Sequence, residues 1–254
     1  MPLDRIREIA AEAGREILRH YGRVGSVAKA DSSPLTEADL ASHRLISSRL
    51  AALTPGIPVL SEESESLDPL VRRGWVEFWL VDPLDGTKEF LKQSGEFTVN
   101  IALVREGRPV LGVVHSPVLG ITHFAARGRG AFRERAGGLP ESIHTRRPDS
   151  ARLTIVASRD HAGPQVSDLL ARFPTASLSS MGSSLKFCLV AEGAADLYLR
   201  DIPTMEWDTG AAQCIVEEAG GGVFDLQGEP LAYNKADLRN PSIVTLGDPR
   251  FPWS

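Results

Sequence analysis

Trp79-Leu-Val-Asp-Pro-Leu-Asp-Gly-Thr-Lys-Glu-Phe90 is the stretch around which the rest of the chain is organised. The apolar run from Trp75 to Val81 predicts a buried strand that ends at Asp82. A second acid, Asp85, follows three residues later. Uncompensated carboxylates are very costly to bury, so this pair indicates that cations lie beside it.

The second part of this stretch has the features of a loop that binds an anion. Pro83 restricts the backbone between the two acids, and Gly86 permits a positive φ or a close approach. Thr87 is a favourable N-cap for a helix over Lys88–Gln93, whose free N–H groups would point back toward the carboxylates. Asp-Gly alone predicts only a turn. Acids beside an anion-attracting helix end, however, suit cations placed between the acids and a phosphate.

The composition is that of an ordinary globular protein, long enough for one large domain or two smaller ones. Of its 254 residues, 42% are hydrophobic and 24% are charged. The net charge of −5 excludes a general basic surface for nucleic-acid polymers, so an anionic ligand would need local cations. Cys188 and Cys214 both fall in apolar helical patterns, which predicts reduced core residues in a reducing compartment.

The N-terminal segment is amphipathic, and no apolar run of about 20 residues occurs. We therefore expect a cytoplasmic protein without a membrane segment. Peripheral membrane association and oligomer formation stay open, because an apolar face serves equally well for a core and for an interface.

The first half of the chain predicts an α+β unit. Apolar residues at helical spacing predict helices over residues 3–21 and 38–53, and Thr36-Glu-Ala-Asp39 fits a capping box at the start of the second. Asp39 is a candidate both for that cap and for a group that supports the site. Alternation then predicts antiparallel strands at 97–103, 110–114 and 121–125.

A second acidic pair, Glu62–Glu63, follows a short strand predicted at 58–61. Such a pair is usually solvated surface. Because another predicted strand also ends in acids, both clusters could converge at one edge of a sheet.

The second half alternates strands and helices, as expected for an α/β unit. Strands are predicted at 153–158, 195–200, 223–225 and 242–246, and helices at 164–173, 182–192 and 210–219. Residues 127–150 are rich in Gly, Arg and Pro, so we place a boundary there between an N-terminal domain, 1–135, and a C-terminal domain, 150–254.

Asp208 stands at the start of the last predicted helix, which Gly220-Gly-Gly222 ends. On position alone it suits an N-cap or a first-turn acid. If the helix start faces the acids of the first half, Asp208 becomes a further oxygen ligand. Glu62, Asp82, Asp85 and Asp208 would then form an oxygen-only site, which suits Mg²⁺ and not zinc or copper.

These motifs, in this order, resemble the inositol monophosphatase-like superfamily of Mg²⁺-dependent, lithium-sensitive phosphatases. The matching segments are Asp82–Thr87, Glu62–Glu63 and Trp207-Asp208 with Ala219-Gly220-Gly221. Within it, Thr87–Phe90, Gly95–Leu103 and Gly182–Gly193 are similar to the bacterial CysQ type of 3′(2′),5′-bisphosphate nucleotidase. The resemblance spans nearly the whole chain and implies a layered α/β/α/β/α sugar-phosphatase fold. The implied reaction converts adenosine 3′,5′-bisphosphate to AMP and phosphate, with 3′-phosphoadenylyl sulfate as a further candidate substrate.

The resemblance also implies a role for each site residue around two or three Mg²⁺ ions. Ligands of the water-activating metal would be Glu62, Asp82 and the Leu84 carbonyl. Ligands of the metal that holds the leaving oxygen would be Asp82, Asp85 and Asp208. Thr87 would orient the attacking water with Glu62, Asp39 would polarise Thr87, and the N–H groups of Gly86 and Thr87 would hold the phosphate.

The nucleotide and its second phosphate would be contacted by His161, Ser183, Lys186 and Arg200. Ser183 and Lys186 share a face of the predicted helix, and Arg200 suits a bidentate phosphate contact. Three of them have a structural alternative: Lys186 as a surface charge, Arg200 in an ion pair with Asp196 or Asp201, and His161 as a loop residue.

Two other functions stay open at this point. One is an inositol or sugar monophosphatase with the same metal centre. The other is a catalytically silent protein that binds the nucleotide, against which the complete set of Glu62, Asp82, Asp85, Thr87 and Asp208 argues.

Overall fold

The computed structural model describes residues 3–23, 25, 27–28, 34–64, 68–157 and 163–253. The helices in this part of the chain are α1 (Leu3–His20), α2 (Glu37–Leu53), α3 (Pro69–Arg72), α4 (Thr87–Leu91), α5 (Pro164–Arg172), α6 (Leu185–Ala191) and α7 (Glu206–Glu218). The strands are β1 (Val27–Ala28), β2 (Pro34–Leu35), β3 (Val59–Ser61), β4 (Glu77–Asp85), β5 (Thr98–Arg105), β6 (Arg108–Ser116), β7 (Ile121–Ala126), β8 (Ala131–Arg135), β9 (Glu141–Ile143), β10 (Thr154–Ala157), β11 (Ser177–Ser180), β12 (Leu197–Arg200), β13 (Gly222–Asp225) and β14 (Ile243–Leu246).

Two larger sheets organise these elements. The first has seven strands in the order β3-β4-β5-β6-β7-β8-β9, antiparallel throughout except for the parallel pair β3 and β4. The second has five strands in the order β11-β10-β12-β14-β13. In it, β10 is parallel to both β11 and β12, whereas β14 is antiparallel to both its neighbours.

Helices α1 and α2 cover one face of the seven-stranded sheet. Their apolar stripes, which include Ile6, Ile17 and Ile46, share a buried cluster with Trp79 and Val81 of β4. The intervening residues of β4 face the opposite side, where they are also buried. A strand that is covered on both faces has apolar residues at successive positions, which explains the continuous apolar run before Asp82.

Helices α6 and α7 form a layer between the two sheets. Trp207 and Ile215 of α7 share one cluster with Leu80 of the seven-stranded sheet and Tyr198 of the five-stranded sheet. At Gly112 of β6 an added Cβ would lie 2.1 Å from the carbonyl oxygen of Ala211, so glycine is required for this close approach.

Helix α5 covers the outer face of the five-stranded sheet, where Val166 and Leu169 pack against Ile155, Leu197 and Val244. The layers are therefore α/β/α/β/α, which confirms the fold that the sequence implied. None of the described helices is long and apolar enough to cross a membrane. Both cysteines are free and buried, as predicted.

Two predictions about the central stretch are wrong. β4 does not end at Asp82 but runs to Asp85, with an irregularity in its pairing with β5 between these two acids. Pro83 lacks an N–H and cannot continue a regular ladder, so the strand bulges instead of stopping. Thr87 is not the N-cap of α4 but its first residue. Gly86 occupies the cap position with a left-handed φ of 93°.

Other boundaries also differ from the sequence predictions. α6 begins at Leu185, and Ser183 precedes it with a left-handed φ of 52°, so Ser183 and Lys186 do not lie on one helix. Residues 127–150 contain β8 and β9, and β11 was not predicted, because these short strands lack an alternating apolar pattern. The proposed domain division within 127–150 stays a prediction.

Candidate active site

Three carboxylates from distant parts of the chain meet at one point. Asp82 lies three residues before the end of β4, Asp85 is its last residue, and Asp208 lies in the first turn of α7. A ligand oxygen from each residue lies within 4.8 Å of the other two. The start of α7 therefore faces the acids of the first half of the chain. This is the condition under which the sequence analysis grouped Asp208 with those acids.

The electrostatics of this cluster show buried carboxylates that repel one another. The pKa of Asp82 is raised well above its usual range, mainly by burial and then by the charges of Glu62, Asp85 and Asp208. Burial and the charges of Asp85 and Glu62 likewise raise the pKa of Asp208 to about 8. Oxygen-only donors with excess negative charge fit a hard divalent cation such as Mg²⁺.

Local hydrogen bonds fix two of these carboxylates. Asp82 Oδ1 accepts from the N–H of Leu84 at 3.0 Å. Asp208 Oδ2 accepts from the N–H of Met205 at 2.8 Å, so Asp208 stabilises the start of α7 and also belongs to the cluster. Both interpretations of Asp208 made from the sequence therefore describe the same side chain.

Glu62 reaches the cluster through the parallel pairing of β3 with β4. It follows directly after β3, and its N–H donates to the carbonyl oxygen of Val81 at 3.1 Å. Among the neighbouring charges, that of Glu62 has the largest effect on the pKa of Asp82. The two acidic clusters thus converge at one sheet edge.

Asp39 serves helix α2 and the site at the same time. Its Oδ2 accepts from the N–H of Thr36 at 2.7 Å and from the Thr36 hydroxyl at 2.6 Å, which completes the predicted capping box. Its Oδ1 accepts from the hydroxyl of Thr87 at 3.1 Å. Thr87 Oγ1 also lies 3.4 Å from the Leu84 carbonyl oxygen.

This double role can be separated by a matched pair of variants. We expect both Asp39→Ala and Thr36→Ala to lose about 0.5–2 kcal/mol of stability through the helix cap. Only Asp39→Ala removes the contact with Thr87, so only this variant should lose most of its turnover. Thermal unfolding and initial rates measure the two effects. Equal turnover in both variants would show that Asp39 acts only as a cap.

A cleft of about 390 Å³ opens beside the carboxylates, within the usual size range of small-molecule sites. Its lining includes Gly86, Thr87, Lys88 and Lys92 at and beside α4, and Ser183, Lys186, Tyr198 and Arg200 from the second half of the chain. These two groups approach each other closely: an added Cβ at Gly86 would lie 3.2 Å from Ser183 Cβ.

Lys186 is a buried cation of this cleft and not a surface charge. Burial, assisted by the charge of Arg200 and opposed by that of Asp85, lowers its pKa to about 8. Its Nζ donates to the carbonyl oxygen of Ser183 at 2.7 Å and lies 5.7 Å from the centre of the Tyr198 ring.

Arg200 does not form the ion pairs that were its structural alternative. Asp196 instead binds Arg146 at 2.7 and 2.6 Å, and Asp201 accepts from the N–H groups of Gly163 and Gln165. The Nε of Arg200 donates to the carbonyl oxygen of Ile202 at 3.1 Å. His161 lies outside the described residues.

Three polar residues beside Asp85 were missed by the sequence analysis. Thr98, Asn100 and Ser184 are all buried and form hydrogen bonds to Asp85 or to one another. Ser183 also joins this network, with its Oγ 2.7 Å from Thr98 Oγ1. The signal that could have found two of them is the alternation in β5, where polar Thr98 and Asn100 interrupt an otherwise apolar strand.

Comparisons with known proteins agree with this geometry. The model of the inositol monophosphatase family matches residues 3–246. The 3′(2′),5′-bisphosphate nucleotidase CysQ of Escherichia coli K12 is 47% identical over 95% of this chain and 98% of that protein. The protein of the same name from Aggregatibacter actinomycetemcomitans is 40% identical over 99% and 94% of the two chains.

Solved structures show the same relationship. The structure of CysQ from Bacteroides thetaiotaomicron has a TM-score of 0.84 at 42% identity and covers 96% of both chains. An IMPase from Thermotoga maritima has a TM-score of 0.79 at 26% identity, covering 96% of this chain and 91% of that one. The matches extend over almost the full length, so the chain belongs to the inositol monophosphatase family.

Proposed function

We propose that this protein is a Mg²⁺-dependent phosphatase that removes the 3′-phosphate of adenosine 3′,5′-bisphosphate and yields AMP and phosphate. The observation that carries this proposal is a crowded carboxylate cluster in the same cleft as Lys186 and Arg200. Relatives named 3′(2′),5′-bisphosphate nucleotidase at 40–47% identity support it. The phosphosulfate analogue is a second candidate substrate for the same cleft.

The metal ligands in this proposal are Glu62, Asp82, Asp85, Asp208 and the carbonyl oxygen of Leu84, which together would hold two or three Mg²⁺ ions. Bound Mg²⁺ neutralises phosphate charge, lowers the pKa of a bound water and stabilises the leaving oxygen. The side chains of the protein fix the ligand oxygens in place before substrate arrives.

The remaining polar groups orient the reactants. The Thr87 hydroxyl donates its hydrogen to Asp39, so its oxygen accepts a hydrogen bond from the attacking water and orients that water together with Glu62. The N–H groups of Gly86 and Thr87 hold the phosphate that is cleaved.

The second phosphate of the substrate is bound by the cleft residues of the second half of the chain. Lys186 and Arg200 bind this 5′-phosphate, and Ser183 lines the space between the two phosphates. A contact of His161 with the nucleotide stays a prediction.

In the proposed domain division, the N-terminal part supplies most of the metal ligands and the C-terminal part supplies Asp208 and the nucleotide contacts. The free, buried cysteines fit a reducing cytoplasm.

An inositol or sugar monophosphatase is the less supported alternative. Such a substrate has a single phosphate, so it would leave the buried Lys186 and the half-buried Arg200 without an anionic partner, which is unfavourable for the buried charge. A silent nucleotide-binding protein would have no use for acids crowded around Asp82, whereas a bound cation would relieve their mutual repulsion.

A phosphate-release screen tests the proposal. The substrates are adenosine 3′,5′-bisphosphate, its 2′,5′ isomer, the phosphosulfate analogue, inositol 1-phosphate and fructose 1,6-bisphosphate, each with and without Mg²⁺. We expect the highest kcat/KM for a nucleotide bisphosphate and no release without the metal. A preference for inositol 1-phosphate would establish the alternative, and no release from any substrate would establish a silent protein.

Lithium should inhibit this enzyme at concentrations where sodium does not. Li⁺ is close to Mg²⁺ in size but has half its charge, so it fills a metal position without giving the same charge stabilisation. The measurement is turnover at fixed Mg²⁺ with LiCl or NaCl at matched ionic strength. Equal effects of the two salts would contradict the prediction.

A further inference from the structure

The carboxylate of Asp85 is bound on one oxygen only. Its Oδ2 accepts from the N–H of Ser184 at 2.7 Å, from the Ser184 hydroxyl at 2.8 Å and from Asn100 Nδ2 at 3.3 Å. The Thr98 hydroxyl lies 3.5 Å from the same atom. Among the described residues no hydrogen bond reaches Oδ1, so Oδ1 is the oxygen of Asp85 that is available to a cation.

Ser184 is itself held in a single orientation. Its side chain is 1% exposed, and its Oγ lies 2.9 Å from both Asn100 Nδ2 and the carbonyl oxygen of Asp208. A hydroxyl has one proton to donate, and the charged Asp85 is the stronger acceptor. Asn100 donates to Ser184 Oγ and so fixes the direction of that proton.

The peptide group before Ser184 extends this arrangement to the nucleotide side of the cleft. Its carbonyl oxygen, on Ser183, accepts from Lys186 Nζ at 2.7 Å, while its N–H is the one that donates to Asp85. The left-handed φ of 52° at Ser183 gives the peptide this orientation. One peptide plane therefore contacts both the buried lysine and the carboxylate.

We propose that Ser184, supported by Asn100, is a positioning residue that fixes the rotamer of Asp85 and thereby sets the affinity of the site for divalent cations. This inference rests on the proposed metal centre. Groups that orient a ligand contribute to metal affinity although they never touch the ion, and losing one lowers affinity about 10- to 100-fold. Ser184→Ala removes the hydroxyl contact with Asp85 and keeps the N–H contact, so the loss of metal affinity should be near the lower end of this range.

The experiment measures metal binding directly. Metal-free protein is titrated with Mn²⁺, which prefers the same oxygen ligands as Mg²⁺, and free Mn²⁺ is followed by electron paramagnetic resonance. The matched control is Ser116→Ala, since Ser116 Oγ is buried and has no hydrogen-bond partner in the described part of the chain. Initial rates at increasing Mg²⁺ give a second readout.

We expect Ser184→Ala to need about tenfold more Mn²⁺ for half-saturation, and Ser116→Ala to match the unmodified protein. The half-saturating Mg²⁺ concentration should rise by a similar factor, while turnover at saturating Mg²⁺ is largely retained. If Ser184 had only a structural role, its replacement by alanine would lower thermal stability and leave the half-saturating concentrations of Mn²⁺ and Mg²⁺ unchanged. Asn100→Ala, which removes the longer contact to Asp85 and the support of Ser184, should weaken Mn²⁺ binding in the same direction.

Unchanged Mn²⁺ binding by Ser184→Ala overturns the role of Ser184. If that variant does not fold, Asn100→Ala decides, because Mn²⁺ binding like that of the unmodified protein would also overturn it. Failure of the unmodified protein to bind Mn²⁺ is a distinct result, which overturns the proposed metal centre itself.

Discussion

Asp82→Asn should reduce phosphate release from adenosine 3′,5′-bisphosphate by about a thousandfold or more, equivalent to about 4 kcal/mol of transition-state stabilisation. Asp82 is the most central acid of the cluster, 1% exposed and flanked by Glu62, Asp85 and Asp208. Asp82 is a proposed ligand of two metal ions, so the loss of its charge would weaken the binding of both ions. Initial rates across a wide range of Mg²⁺ concentrations measure the effect.

The same substitution should leave the metal-free fold intact or make it more stable. Because the pKa of Asp82 is raised in the folded protein, its ionised form is disfavoured there and reduces stability as the pH rises through that pKa. Asparagine has nearly the same shape and no charge, so it removes this repulsion at neutral pH. Thermal unfolding in EDTA should show an equal or higher Tm than the unmodified protein.

Mg²⁺ provides the complementary measurement. A ligand that binds only the folded state raises stability with its concentration, so Mg²⁺ should raise the Tm of the unmodified protein and have a much smaller effect on Asp82→Asn. Asp168→Asn on the exposed face of α5 is the matched control and should behave like the unmodified protein in every assay. Near-normal turnover of Asp82→Asn at saturating Mg²⁺ would refute the proposed centre.

The second large effect concerns two cations of the cleft, the buried Lys186 and the half-buried Arg200. Lys186→Met, which retains most of the side-chain volume, and Arg200→Ala should each lower kcat/KM for adenosine 3′,5′-bisphosphate about 10- to 100-fold. This corresponds to the loss of one charge-assisted contact, about 1.5–3 kcal/mol. Adenosine 3′-monophosphate is the internal control, because it presents the same reacting phosphate without the 5′-phosphate.

Arg200→Lys should restore only part of the loss, since an ammonium group cannot reproduce the planar, two-pronged contact of a guanidinium. The effect should appear mainly in KM if the contact is equally strong in the bound substrate and in the transition state. Equal losses for both substrates would mean that Lys186 and Arg200 have structural roles and that the 5′-phosphate binds elsewhere.

The pH dependence gives an independent test of Lys186. With a pKa lowered to about 8, its ammonium group loses its charge as the pH rises through 8, and kcat/KM reports the free enzyme. The ratio of kcat/KM for the bisphosphate over the 3′-monophosphate should therefore fall above pH 8. In Lys186→Met this ratio should be constant over the same range.

The carboxylate cluster could be predicted in part from sequence because its acids lie at or near the ends of regular elements. Asp82 closes an apolar run, Glu62 follows a short strand, and Asp208 lies in the first turn of a helix, so local patterns alone placed all three near element ends. Which ends would meet depends on how α7 packs between the sheets. Only the resemblance to a known family supplied that information.

The network around Asp85 could not be predicted in the same way. Ser184 contacts Asp85 because Ser183 adopts a left-handed conformation, which no local pattern of the sequence signals. Thr98 and Asn100 of β5 meet Ser183 and Ser184 only in the assembled tertiary structure, more than 80 residues away along the chain. The direction of a hydroxyl or an amide is a property of the assembled tertiary structure.

The helical layer between the sheets has a consequence for biosynthesis. The seven-stranded sheet is complete once β9 has been synthesised, but one of its apolar faces, which includes Phe78 and Leu80, is covered by α6 and α7, far later in the chain. A nascent chain that ends between these elements would expose that face to water. Exposed surface of this kind promotes aggregation and is what chaperones bind. Synthesis of α7 is therefore the step that first allows this face of the seven-stranded sheet to be covered, whereas the five-stranded sheet still awaits β13 and β14.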